Sequence, residues 1–396
     1  MPGSTADDPA PGCRVAGAVA RIVICSGGVI GDSIAYFLSR RGVKPIVVER
    51  AGIACAASGK SGGFLARHWC DGTQLQQLAR HSFDLHAELA EHGSEAWGYR
   101  RVTTYGGVGA ATAHTRGGTT PNPIDWVSSH LEVGQQLGST RDTAQVHPAL
   151  FTAATMRAAE AHGAELRLGT VTGMRQTAGR VTGVEVDGAV IDADAVIIAM
   201  GPWSILAAAW LPLPMVYGVK GHSLVFTTGD TIPPEALFLE FEEAGGAVQS
   251  PEFFPRPDGT IYVCAISSDS PLPIDPAAVV PDLGAIERLE RICAAASPVL
   301  AAAKIVARQA CFRPIARDGL PLIGRVPGVE GAYIATGHSV WGILNAPATG
   351  EALAELILDG AARTMDLAPF DPGRLRPLDP ARLRSRRASS APLKGS

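Results

Sequence analysis

Hydrophobic and polar positions change period repeatedly along the chain, and each change predicts an element. Residues 21–25 (RIVIC) form a short apolar, β-branched run suited to a buried parallel strand. After a pair of glycines, DSIAYFLSRRG turns to helical period, with Ile34, Phe37 and Leu38 on one side and Gly42 as the stop. KPIVVER (44–50) supplies a second strand. A loop of small residues follows (51–65, AGIACAASGKSGGFL), pinned by the helix predicted for TQLQQLARHSFDLHAELAEHG. Residues 146–174 read as helix then strand, and DAVIIAMGPWS (194–204) as a strand ending at a Gly-Pro break. Period two then takes over in YGVKGHSLVF (217–226), ALFLEF and TIYVCAIS (260–267), and residues 98–110 and 124–132 belong with them. APATGEALAELILDG, near the end, predicts a last helix.

Strand, glycine turn, helix and strand in that order form the context in which a glycine fingerprint binds a dinucleotide. The first glycine of such a turn permits a tight bend, the second lets backbone approach a pyrophosphate, and the third lets helix and strand pack closely. Gly28 and Gly31 keep the last two roles, while Ser26 stands in the first and makes the bend only with a negative φ. Asp32 lies in the first helical turn, favourable for the helix dipole but close to a dianionic ligand. Glu49 ends the second strand, where an acid accepts from a ribose hydroxyl and disfavours a 2′-phosphate.

Length and composition narrow the picture. At 396 residues and 46% hydrophobic, the chain has material for two or three domains. The predicted class is α/β, with a Rossmann-like nucleotide-binding domain assembled from 21–85, 140–212 and 312–372. A substrate domain built on a mostly antiparallel sheet (α+β) is interleaved as 86–139 and 213–311. Residues 1–20 and the basic 373–396 read as disordered tails. A net charge of -4 gives no reason to expect nucleic acid or an anionic membrane as partner. The seven cysteines are odd in number and lack metal or redox spacing, no metal cluster is visible, and no apolar run is long enough to span a bilayer. A cytoplasmic protein acting on a small molecule is the reading.

The βαβ turn, the loop ASGKSGG (57–63), AMGPWS, RPIARDGLPLIG and ATGHSVWGI with its following AP jointly resemble the D-amino acid oxidase family of flavoproteins, and within it the glycine oxidase and sarcosine oxidase group. The resemblance covers about residues 20–372 and implies FAD bound in an extended conformation. It implies that Ser26, Gly28, Ile30 and Gly31 cradle the pyrophosphate, with Glu49 at the ribose and Arg50 beside it. Ser58, Gly59, Lys60, Ser61, Gly62, Gly63 and Phe64 would pass beside the isoalloxazine, and Val171 would meet the adenine through its backbone. Gly201 and Trp203 would lie near the cofactor, and Gly337, His338, Gly342, Ile343 and Leu344 would close over the pyrimidine end. The start of the last helix would then favour negative charge on reduced flavin.

On the substrate side, Arg313 matches the position that holds a substrate carboxylate in amino-acid-oxidising members, a task suited to a planar guanidinium. The alternative is a structural arginine paired with an acid such as Asp318. Phe254 and Trp341 are candidate pocket walls, His68 is a pocket wall or a surface residue, and His222 and Lys220 read as structural. Cys311 stands where sarcosine-oxidase-like members bond the flavin covalently, but the favoured reading is a small buried thiol, because cysteine packs readily in cores. No catalytic side chain is required, because hydride passes from the α-carbon to the flavin.

The expected reaction is oxidation of an amino acid or N-substituted glycine to an imine, which water hydrolyses, with O2 reduced to H2O2. A dehydrogenase using a quinone or carrier protein would share the pattern. A flavin-binding interaction module without turnover is the third reading. Substrate side chain, stereochemistry and oligomeric state are not encoded in these motifs.

Overall fold

A computed structural model of the protein describes residues 21–381 apart from 94, 112–121, 230 and 231. The expected tail 1–20, and 382–396 of the other, lie outside the described residues. The first sheet is formed by β1 (Ile22–Cys25), β2 (Ile46–Glu49), β8 (Glu165–Leu168), β12 (Ala195–Ile198), β19 (Leu322–Arg325) and β20 (Ala332–Thr336). Its order is β19-β20-β12-β1-β2-β8, parallel except at the β19–β20 edge. Val23, Ile24, Cys25, Val196, Ile197 and Ile198 are fully buried, as strands covered on both faces require. Helices α1 (Val29–Arg40), α2 (Gln76–His92), α3 (Pro148–Ala161) and α6 (Gly342–Leu358) cover one face. Each fully buried Ile or Leu there contributes on the order of 2 kcal/mol. The antiparallel sheet of β9 (Val171–Thr177), β10 (Arg180–Val186) and β11 (Ala189–Asp192) lies on the opposite side, where Val181 and Val184 join Val23 and Ile198 in a second core.

The large second sheet holds β5 (Thr103–Ala110), β6 (Glu132–Gly138), β13 (Val216–Thr227), β14 (Glu235–Glu242), β15 (Val248–Gln249), β16 (Glu252–Pro255), β17 (Thr260–Ser268) and β18 (Lys304–Ala316). Its order is β18-β13-β17-β16-β14-β5-β6, with β15 beside β14, and only the β14–β5 pair is parallel. One face packs on α4 (Ala285–Ala296) and α5 (Pro298–Ala302) through Leu224, Phe253, Val263 and Leu289. The other faces a cavity toward the first sheet. A small sheet of β3 (Phe64–Ala66), β7 (Thr143–Gln145) and β4 (Arg100–Arg101) ties the two halves together.

Two expected boundaries move. β18 runs unbroken through the limit placed between 311 and 312, because it pairs with β13 along its whole length; Arg313 therefore sits on the large sheet. Residues 373–378 are not a free tail: Arg374 grips Asp318 (2.7 and 3.1 Å), and the Leu378 amide donates to the Leu213 carbonyl (2.8 Å). No helix among the described residues is long and apolar enough to cross a membrane.

Candidate active site

A cavity of about 940 Å³ runs between the two large sheets, at the upper end of the roughly 300–1,000 Å³ of ligand pockets. At one end it is walled by Gly169–Thr172 and Arg50, in the middle by residues 25–30, and at the other by the exposed face of the large sheet.

The middle is made by the β1–α1 turn. Ser26 has a φ of +141°, contrary to the negative value expected for a side chain there. The bend is held because its amide donates to the Val48 carbonyl (2.9 Å) and its Oγ accepts from the Gly28 amide (3.0 Å). Gly31 is required beside it: a Cβ would stand 2.4 Å from the Ser26 carbonyl oxygen. The Val29 amide at the helix start donates to Ser58 Oγ (3.0 Å). Glu49 accepts from the Gly27 amide (2.6 Å) and the Ala51 amide (2.9 Å), so its carboxylate ties the turn to the next loop. Asp32, anticipated as a charge near the phosphates, is instead fully buried with both oxygens unpartnered. Burial, reinforced by Glu49 and Glu160, pushes its carboxyl well above the usual range and favours the uncharged form.

The far end is closed by the start of α6, which carries a proline in its second turn. Pro347 has no N–H, and its ring pushes against the carbonyl four residues earlier, that of Ile343. The buried His86 on α2 fills the gap: its Nε2–H donates to the Ile343 carbonyl (2.9 Å), while Ser82 Oγ on the same helix accepts from the Ala348 amide (3.1 Å). Burial lowers His86 to about 4, consistent with a neutral ring donating this bond. His338 is likewise buried, accepts from Thr349 Oγ1 (3.0 Å) or donates to it through Nε2, and is lowered by burial to about 3. Its Nδ1 is an unpartnered atom on a residue that lines the cavity.

The sheet end of the cavity is a row of residues across four strands. Gly221 pairs with both Cys311 and Ser267, and a Cβ there would meet nothing within 4 Å, so it leaves open space on the sheet face. Arg313 Nη2 donates to Ser267 Oγ across that space (2.5 Å), and its Nε is unpartnered. Asp318, the alternative partner, is taken by Arg374. Ser267 is placed by an irregular stretch of β17: Ile266 has a φ of +52°, and its carbonyl accepts from His222 Nδ1 (2.8 Å). His222 Nε2 accepts from the Asp282 amide (3.0 Å), and Lys220 Nζ donates to Asp282 (2.6 Å), so both residues are structural supports of this wall. Cys311 lines the cavity, and burial pushes its thiol to about 11, which disfavours the thiolate.

Of the residues singled out from sequence, Ser26, Gly28, Ile30, Glu49, Arg50, Ser58, Ser61, Gly62, Val171, Gly201, Trp203, His338, Gly342, Ile343, Cys311 and Arg313 line this one cavity. Gly31, Gly59, Lys60, Gly63, Phe64, Gly337 and Leu344 lie behind them in the same segments. His68 does not reach it: its exposed ring pairs with Asp71 (3.2 Å) in the turn before α2. Phe254 is also behind the wall, since a Cβ on Gly62 would strike its ring at 2.3 Å. It stacks on Phe64 (5.3 Å), in an aromatic group with Phe238 and Trp69 that Trp341 meets edge-on (6.4 Å), so Trp341 too packs in an apolar cluster and does not line the cavity. Sequence reasoning missed Gly221, Glu252, Tyr262, Cys264 and Ser267, all of which line the cavity. Period-two alternation was the available signal, but it does not say which face meets a ligand.

An extended dinucleotide with a flat ring fits these residues. The backbone of 26–30 approaches without Cβ atoms at Gly27 and Gly28, and the buried orphan atoms of Ser61 and His338 belong to residues flanking the far half.

The family model for FAD dependent oxidoreductases matches residues 21–356. A Schizosaccharomyces pombe protein named only as an oxidoreductase is 31% identical over 89% of this chain and 97% of its own length. Glycine oxidase of Pseudomonas aeruginosa is 30% identical over 90% of this chain and 99% of its own. Among solved structures, glycine oxidase from Bacillus cereus superposes with a TM-score of 0.73 at 23% identity, covering 87% of this chain and 98% of that one. Iminodiacetate oxidase from Chelativorans sp. does so at 0.71 and 23%, covering 89% and 99%.

Proposed function

The chain belongs to the FAD-dependent oxidoreductase family, and from that premise we propose that it oxidises a carboxylate-bearing amine, an amino acid or N-substituted glycine, with Arg313 as the carboxylate anchor. The observation that carries this reading is the placement of Arg313: a guanidinium at the cavity wall, free of Asp318, held by one hydroxyl and aimed across the open floor at Gly221. A carboxylate there takes two parallel charge-assisted hydrogen bonds and is fixed in orientation. Bound FAD would supply the acceptor for the hydride that leaves the substrate's α-carbon with the electron pair of its C–H bond. Ser26, Gly28 and Ile30 would hold the cofactor's phosphates, Glu49 its ribose, and Ser61, Gly62, His338 and Ile343 would flank its ring, all of them residues that line the same cavity. The resulting imine is hydrolysed by water, and O2 is the final acceptor, giving H2O2.

The test is anaerobic mixing of the FAD-loaded protein with D- and L-amino acids, N-alkyl glycines and β-amino acids, followed by admission of air. Bleaching by a carboxylated amine, recovery in air and peroxide formation are the expected results. Bleaching without recovery makes the protein a dehydrogenase of the same substrates. A yellow protein that no such amine bleaches ends the proposal.

A further inference from the structure

Arg313 supplies positive charge where the proposed substrate carries both charges, and the same wall holds an acid that the reaction above does not use. Glu252 lies on β16, one strand beyond β17, directly opposite Cys264 in register. Its side chain lines the cavity, and Oε2 accepts a weak bond from Cys264 Sγ–H (3.5 Å). No cation within 4.0 Å pairs with it among the described residues. A partly buried acid with no paired cation suits a ligand that supplies the positive charge.

Resting on the reading above, we propose that Glu252 receives the substrate's ammonium group and takes its proton, while Arg313 holds the carboxylate. The N–H bond of the ammonium breaks, and its proton moves to the Glu252 carboxylate. The amine's freed electron pair then forms the C=N bond as hydride and its two electrons leave the α-carbon for FAD. Glu252 afterwards returns its proton to water.

The surroundings suit this task. On the elements packed about Glu252, the charged or titratable neighbours are Arg313 on β18 and Cys264 and Tyr262 on β17, while β14 presents Phe238 opposite it. Burial pushes both the Cys264 thiol and the Tyr262 phenol well above their ordinary values, so neither competes with Glu252 for a proton near neutral pH. Burial raises Glu252 too, against Cys264 and Arg313, bringing it nearer the basicity of an amine.

Binding tests this without turnover. Trimethylglycine and 3,3-dimethylbutanoate share one shape and one carboxylate and differ by a positive charge. Titrated into the FAD-loaded protein at pH 8 and followed by flavin absorbance, the wild type should prefer trimethylglycine about tenfold or more, and lose that preference on acidification. Glu252→Gln should bind both equally, and Glu252→Asp, which keeps the charge, should retain part of the preference. In turnover, Glu252→Gln should lower kcat/KM about a hundredfold at pH 7. The deficit should shrink as pH rises toward the amine's own pKa, which a merely structural change would not produce. Equal binding by the wild type, binding of neither probe, or a preference that survives in Glu252→Gln overturns the role. A preference for the cation in a protein that no amine bleaches would retain Glu252 as a cation site and discard the reaction; bleaching without the preference would do the reverse.

Discussion

The two ends of the cavity recognise by opposite means. At the β1–α1 turn the polar groups facing the cavity are mainly backbone amides, unshielded by a Cβ at Gly27 and Gly28 and held in place by Ser26, Glu49 and Ser58, and Asp32 is buried. On the large sheet the polar groups are side chains, Arg313, Ser267, Glu252, Tyr262 and Cys264, projecting from three strands into space left by Gly221. A cofactor common to many enzymes can be held by backbone that any suitable sequence reproduces. A particular substrate needs particular side chains. Removing atoms should therefore harm the sheet end, and adding atoms should harm the turn.

The largest effect is expected from Arg313→Met. It leaves the β1–α1 turn untouched but removes the one arginine that, among the described residues, lines the sheet end of the cavity. Losing one side of a desolvated charge pair costs roughly 2–5 kcal/mol, so kcat/KM for carboxylated amines should fall by about thirtyfold to several thousandfold, mostly through KM. Steady-state kinetics on the best substrate of the anaerobic screen would read it. Unchanged kinetics would remove the side-chain half of the contrast.

The complementary change adds one methyl. Gly31→Ala places a Cβ 2.4 Å from the Ser26 carbonyl, and overpacking of this kind costs about 1–3 kcal/mol. FAD affinity should weaken about tenfold or more, measured by flavin fluorescence on dilution. A fully yellow variant with native affinity would show that the turn tolerates side chains after all.

The same contrast explains what could be read from the sequence. The turn and its helix lie within residues 22–49, and Ile34, Phe37, Leu38 and Gly31 announce them through local period and spacing. Arg313 was legible because of the motif around it. Glu252, Ser267 and Gly221 were not, since their proximity depends on strand pairing between residues 221 and 311 and between 252 and 264. A β-bulge shifts the register at Gly221, and no local pattern encodes it. His68 and Phe254 are not pocket walls for two reasons: adjacency in sequence to the 51–65 loop does not decide which side of it His68 takes, and Phe254, on the cavity face of β16, is covered by that loop at Gly62.

His86 tests the junction between the two ends. In His86→Ala the Ile343 carbonyl loses its donor, with Pro347 unable to supply one, and the cost should be about 2 kcal/mol by thermal or urea unfolding. His86→Gln, which keeps an N–H donor, should recover part of it. The acid response has a definite sign. The folded ring titrates near 4 against an ordinary 6.5, so the unfolded chain binds the extra proton between those values. Stability should therefore fall as pH drops from about 6.5 toward 4, and His86→Ala should flatten that fall. His338, lowered to about 3, should leave a remaining slope of the same sign.

The smallest expected effect returns to the turn and asks how far its backbone logic extends. Ser26 holds a φ of +141°, a region that a side chain enters at a cost of order 1–3 kcal/mol, while its Oγ returns about 1 kcal/mol by accepting the Gly28 amide. Ser26→Gly relieves the strain, gives up that bond, and adds chain entropy to the unfolded state. The three contributions nearly cancel, so stability without FAD should change by less than about 1 kcal/mol. FAD affinity should rise, because the Gly28 amide is then no longer satisfied internally and can turn to a phosphate oxygen. A variant that instead binds FAD more weakly would mean that the Ser26 hydroxyl itself contacts the cofactor, and that even this end depends on a side chain.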